Sequence, residues 1–277
     1  MEEKKGWLEK EDYEEPACVL CTPKQEDITP IPQQRIIGKM DEYMSKRDYA
    51  GAERHLLYWL EEAKIGHDQR GELLIRNELV GHYRKTGVKE KAFASIEEAL
   101  RLLRELDFSE NVSAGTTYIN CATALNAFGK DERSLSLFEK AKEVYEKAAH
   151  VDPSLLGGLY NNMALTCTSL RRYAEAHAYY EKALQTMSKV EHGELEQAIT
   201  CLNEADLYSA ELGAEAAEKK IEGLLDRAEE FLNTPSLPRN GYYAFVCEKC
   251  APSFSYYGYF LFAEELKKRA EEIYGRN

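Results

Sequence analysis

A spacing of 42 residues is the feature that most constrains what this chain can fold into. Gly87, Gly129 and Gly213 fall on a 42-residue lattice, with Arg171 at the one intervening point. A second series runs beside it: Asn120-Cys121-Ala122, Asn162-Met163-Ala164 and Asn203-Glu204-Ala205, spaced by 42 and 41. Second amphipathic stretches such as SLSLFEKAKEVYEKA and YAEAHAYYEKALQTM follow a short turn. Two helical segments per period of this size mean a stacked solenoid, because one hairpin cannot bury its apolar face alone. The prolines permit it. They stand at 16, 23, 30, 32, 153, 235, 238 and 252, leaving 33–152 and 154–234 free for long helices. Asp152-Pro153 fits the same picture as an N-cap followed by the first helical position.

Inside each period large and small residues alternate so that two helices can pack closely. The fourth repeat reads Tyr160, Met163, Ala164 and Cys167, then Ala176, Tyr180 and Ala183. The third reads Tyr118, Cys121, Ala122 and Leu125, then Ser134, Phe138 and Ala141, and the second Arg76, Leu79, Val80 and Tyr83, then Ala92, Ile96 and Ala99. Weaker flanking repeats carry Ile36, Met40, Tyr43, Ala52, Leu56 and Trp59 at one end and Cys201, Ala205, Tyr208, Ala217, Ile221 and Leu224 towards the other, followed by Cys247, Cys250, Ala251, Phe254, Ala263 and Ala270. This pattern resembles the tetratricopeptide repeat, in a long form similar to the repeats of kinesin light chains and bacterial signalling-peptide receptors. The resemblance covers about 33–275. It implies an all-α, right-handed superhelical solenoid of five to six helix-turn-helix repeats, with helices about a turn longer than in the 34-residue motif. An acidic extension at 1–31 would precede a repeat domain at 32–277, with repeats at about 33–66, 67–108, 109–151, 152–190, 191–234 and 239–277. Three residues depart from the pattern: Lys39, Glu204 and Lys267 stand where apolar side chains are expected.

In such a solenoid the first helix of each repeat lines the inner surface. The residue just before the x-Ala pair runs Gly38, Glu78, Asn120, Asn162, Asn203 and Lys249. An amide offers donor and acceptor together, so a row of amides can hold the backbone of an extended peptide without demanding a side-chain sequence. The resemblance carries a peptide-contacting role onto Asn120, Asn162 and Asn203. Asn161 neighbours the row, and Arg76 and Lys249 flank it as candidates for a partner's carboxylates. The alternative use of the same amides is bonding between neighbouring helices.

Two Cys-x-x-Cys pairs, Cys18 with Cys21 and Cys247 with Cys250, have the spacing of a four-thiolate zinc site. About 225 residues separate them, and the ends of a solenoid lie far apart. Cys247 and Cys250 also fall on large core positions of the sixth repeat, as Cys121, Cys167 and Cys201 do in theirs, and free cysteine packs as a small hydrophobe. No metal site is therefore favoured and no cofactor is expected. Seven cysteines, an odd number, in a chain that needs no staples indicate reduced thiols and a cytoplasmic setting.

Aromatic residues crowd the C-terminal repeat: Tyr242, Tyr243, Phe245, Phe254, Tyr256, Tyr257, Tyr259, Phe260 and Phe262. Spacing puts Phe254 and Phe262 in the core, and Pro252 is expected to interrupt the first helix there. The remainder can cap the solenoid, join a homodimer or meet a partner.

Charge excludes some functions. There are 36 Lys and Arg against 49 Asp and Glu among 277 residues, a formal net charge of −13, which disfavours nucleic acid. Residues 1–32 carry nine acids and four bases, and 191–234 carry twelve acids and three bases. The middle repeats are therefore near neutral, and the acidic tail could compete with a partner for the groove. No apolar run approaches a membrane span of roughly 18 residues, and the acidic start reads as no secretory signal. Phosphate-loop, nucleophile-elbow and His-Glu-x-x-His motifs are absent, and the six histidines lack ligand spacing. The resemblance implies a non-enzymatic adaptor that binds a protein or peptide segment in its groove. Two alternatives stay open: a self-associating assembly subunit built on the aromatic repeat, and a zinc- or redox-responsive protein using the cysteine pairs.

Overall fold

The computed structural model describes residues 28–107 and 112–275. Twelve α-helices and no strand occur among them. Cys18, Cys21 and most of the acidic extension lie outside the described residues, so the tail's competition for the groove does too. The chain divides into two compact units, one ending at Ile75 and one beginning at Arg76.

In the first unit α1 (Gln33–Ser45) and α2 (Tyr49–Ile65) form a hairpin, with α3 (Gln69–Thr86) beginning after it. Ile36, Met40, Ala52, Leu56, Leu60 and Ala63 are buried. Asp48 caps α2 by accepting the Gly51 N–H at 2.8 Å. The segment before α1 is anchored. Thr29 N–H donates to the Gly66 carbonyl, and the buried Asp68 carboxylate accepts the N–H groups of Ile31 and Gly71 at 3.0 and 2.9 Å.

The second unit takes up the rest of α3 and continues through α4 (Lys89–Glu105), α5 (Val112–Ala127), α6 (Asp131–Lys147), α7 (Pro153–Ser169), α8 (Tyr173–Met187), α9 (Glu194–Leu212), α10 (Ala214–Leu232), α11 (Gly241–Tyr256) and α12 (Phe260–Tyr274). The pairs α5–α6, α7–α8, α9–α10 and α11–α12 are antiparallel hairpins. Each even helix also packs on the next odd one at α4–α5, α6–α7 and α8–α9, and the odd helices follow one another as α5, α7, α9 and α11. This is an all-α superhelical repeat fold. Its core residues are those of the 42-residue pattern: Tyr118, Cys121, Ala122, Leu125, Ser134, Phe138 and Ala141 are buried, as are Tyr160, Met163, Ala164, Cys167, Ala176, Tyr180 and Ala183.

The lattice has a backbone cause. Each hairpin turn places one residue in the left-handed region: Arg47 (φ 55°), Gly87 (74°), Gly129 (69°), Arg171 (58°), Gly213 (85°) and Gly258 (90°). Glycine adopts this conformation without the Cβ penalty, so the lattice is the series of turn residues, with arginine tolerated at two. A second glycine pair 42 apart, Gly115 and Gly157, marks close helix approach. A Cβ there would meet the Tyr145 ring at 2.2 Å and the Met187 sulfur at 2.3 Å.

The irregular positions have physical explanations. Glu204 sits between α8 and α9 with a side chain only 15% exposed, because His177 reaches it at 3.3 Å while also meeting Glu211 at 3.0 Å. Lys39 and Lys267 are at the surface, where they pair with Glu42 and Glu264. Pro252 does not interrupt α11, which runs on to Tyr256. Pro252 is exposed, so the Glu248 carbonyl that loses its usual donor lies on the solvent side of the helix.

Candidate functional site

The predicted row of amides lies on the odd helices of the second unit, and the structure divides it. Asn203 on α9 donates its amide N–H to the Asn161 carbonyl oxygen on α7 at 3.0 Å, and Asn161 is 7% exposed. One repeat-pair earlier, Asn77 on α3 donates to Thr117 Oγ1 on α5 at 2.8 Å. These amides tie neighbouring repeats together. Asn120 on α5 and Asn162 on α7 are half-buried, and neither amide has a hydrogen-bond partner among the described residues. Arg76, at the start of the second unit, is half-buried and engaged. Lys249 is exposed on α11, where its charge acts on Glu196 of α9.

Beyond the amides the face changes character. Tyr242 donates its hydroxyl to the Glu196 carboxylate, and Tyr257 donates to Asp206 at 2.7 Å. Burial pushes the Glu196 carboxyl above the ordinary range, partly opposed by Lys249. Withdrawal of water by the surrounding chain likewise raises Asp206, partly opposed by the Tyr257 hydrogen bond. Neither carboxylate makes an ion pair among the described residues. Beside them Tyr242 stacks on Phe245, with ring centroids 6.2 Å apart, and Tyr256 packs edge-on against Tyr257 at 4.9 Å. A cleft of about 490 Å3 opens at the N-terminal ends of α7, α9 and α11, lined by Gly158, Met187, Val190, Leu195, Glu196 and Tyr242.

The aromatic surplus is visible in the sequence, but Glu196 and Asp206 are not. In a chain with 49 acids nothing local separates them from the rest, and only the packing of α11 on α9 sets a tyrosine hydroxyl against each.

Cys247 and Cys250 lie in the core of α11, with Cys121, Cys167 and Cys201 buried in their own repeats, and all five are free thiols. Burial pushes Cys121 and Cys250 up to about 12 and Cys167, Cys201 and Cys247 up to about 11. Such thiols stay protonated and unreactive at neutral pH. Among the described residues no group of three or more His, Cys, Asp and Glu is placed to hold a metal ion. No described helix is long and apolar enough to cross a membrane.

Comparison with known proteins places this geometry. A family model described as tetratricopeptide repeat matches residues 157–191, which take in most of α7 and all of α8. No curated protein matches the sequence. Among solved structures, nearly identical TPR-like repeats assigned to a kinesin light chain of Podosopora anserina are similar at 16% identity and a TM-score of 0.50, covering 73% of this chain and 94% of that one. A variant of the same repeats gives 16% identity and a TM-score of 0.53, covering 76% and 97%. BtubC (BKLC) from P. vanneervenii is 18% identical with a TM-score of 0.47, covering 89% and 92%. Residues 157–191 thus match the tetratricopeptide repeat, and the stacked hairpins around them share the fold of TPR-like repeats assigned to a kinesin light chain.

Proposed function

We propose that the second compact unit binds an extended peptide or protein segment across its odd helices, serving as a cytosolic adaptor with no chemistry of its own. One observation carries the reading. At the same position of consecutive repeats, Asn120 and Asn162 keep their amides unengaged, while Asn203 gives its amide to the structure. An unengaged amide in a half-buried position can meet a peptide N–H and C=O together, and repeat solenoids use this kind of surface for binding. The buried free thiols fit a reducing compartment.

The test uses peptides selected on the full chain from a random displayed library and measured by fluorescence anisotropy. Asn120→Ala/Asn162→Ala should weaken binding about tenfold, the combined effect of two hydrogen bonds of roughly 1 kcal/mol each in part-solvated positions. Its melting curve should match the wild type. Equal affinity in a folded double variant would overturn the proposal. Asn161→Ala serves as the contrast, since losing its bond to Asn203 should lower stability.

A further inference from the structure

We propose that the surface formed by α9 and α11 receives a basic segment of a protein partner, carrying two cationic side chains with an apolar side chain between them. The proposal rests on the peptide-binding reading above and names the class of partner. Tyr242, Phe245 and Tyr256 are 47%, 50% and 75% exposed. Helical spacing sets them with Lys249 on one side of α11, so they form a stripe rather than scattered surface residues. Large aromatic side chains left in water at this density mark a docking surface, since they bury area at low cost in side-chain entropy.

Charge decides which partner fits. Glu196 and Asp206 stand at the two ends of the stripe, each held by a tyrosine hydroxyl from the α11 side and neither matched by a cation in an ion pair. Of the other acids of α9, Glu204 and Glu211 are occupied by His177, while Glu194 at the helix start keeps one buried carboxylate oxygen without a hydrogen-bond partner among the described residues. Lys249 is the one basic side chain on this stretch of α11. Glu196 is partly buried and Asp206 exposed, and a carboxylate with no ion-pair partner is free to take up a cation on an incoming chain. An incoming lysine or arginine is therefore attracted at both ends of the stripe, and an acidic segment would be repelled. Ten residues of helix separate the two carboxylates, about 15 Å at roughly 1.5 Å per residue. An extended partner covers that distance in about five residues. Between the two cations the stacked Tyr242–Phe245 pair can take an aromatic or aliphatic side chain.

The test measures three labelled peptides on the full chain by fluorescence anisotropy. One has lysines about five positions apart flanking phenylalanine and leucine; its counterparts have glutamine or glutamate in place of both lysines. The lysine peptide should bind about tenfold tighter than the glutamine peptide, with glutamate weakest, and the advantage should shrink as salt rises and screens the charges. Glu196→Gln/Asp206→Asn should erase the lysine advantage while leaving the glutamine peptide unchanged. Equal binding of all three peptides would overturn this proposal and leave the groove reading standing. Binding of none would overturn this proposal, while the groove reading stands or falls on the library-selected peptides. A wild-type dimer in sedimentation that Phe245→Ser/Tyr256→Ser dissolves would assign the stripe to a second copy and likewise overturn the proposal.

Discussion

Arg171 is the residue at which the 42-residue lattice loses its glycine, and the structure shows the consequence. Its φ of 58° puts a side chain where Gly129 and Gly213 carry none. A non-glycine residue in the left-handed region is strained by roughly 1–2 kcal/mol. Arg171→Gly should therefore raise the stability measured by urea unfolding, by about 0.5–1 kcal/mol once the greater freedom of glycine in the unfolded chain is subtracted. Gly129→Ala should lower it by about 1 kcal/mol, with the denaturant slope unchanged in both variants. A steric clash does not cloud the Gly129 variant, since nothing lies within 4 Å of a Cβ built on Gly129. Glu204 makes a related point. Its polarity is wrong for the pattern, yet the register is right, because His177 supplies the partner that a buried carboxylate requires. That imidazole comes from α8, 27 residues earlier, and periodicity within one helix cannot reveal it.

At the scale of elements, helix ends and helix faces differ in how openly they are written. Asp152-Pro153 reads as the start of a helix, and Asp152 does accept the Ser154 N–H at 2.9 Å to begin α7. Asn240 caps α11 in the same manner, taking the N–H groups of Tyr242 and Tyr243 at 3.0 and 3.1 Å. Asn240→Ala should cost about 1 kcal/mol of stability by equilibrium unfolding. Because Tyr242 follows the cap directly, the same variant should also loosen that ring. Hydrogen exchange at the first turn of α11 should rise, while exchange in α7 stays as it was. Pro252 shows the limit of local rules. A proline in mid-helix predicts a break, but the packing of Cys247, Cys250, Ala251 and Phe254 in the core holds α11 together past it.

For the whole molecule, raised carboxyls, Glu196 and Asp206 among them, make stability depend on pH in a defined direction. Glu196 and Asp206 hold their protons to higher pH in the folded state than in the unfolded chain, where carboxyls titrate near about 4. Between those values the folded state binds more protons, so stability falls as pH rises through the window and the full penalty stands at neutral pH. Glu196→Gln/Asp206→Asn should consequently melt above the wild type at pH 7, with the gap closing below about pH 4. Thermal melts at the two pH values check this, and a variant that gains nothing at pH 7 would show the carboxylates to be adequately hydrated. The same substitution should weaken a basic partner, so a gain in stability and a loss of binding would come from one pair of charges.

The repeat period, the all-α fold, the core positions and the absence of familiar catalytic motifs are legible in the chain by itself. They depend on spacing along one strand of sequence and on residues that bury the same face again and again. Tertiary structure alone decided which amides are free. Asn120, Asn162 and Asn203 are equivalent in sequence, and only the approach of α7 to α9 gives Asn203 a partner in Asn161. It also decided that Glu196 and Asp206 each meet a tyrosine hydroxyl, since that depends on what packs nearby in space rather than on neighbours along the chain.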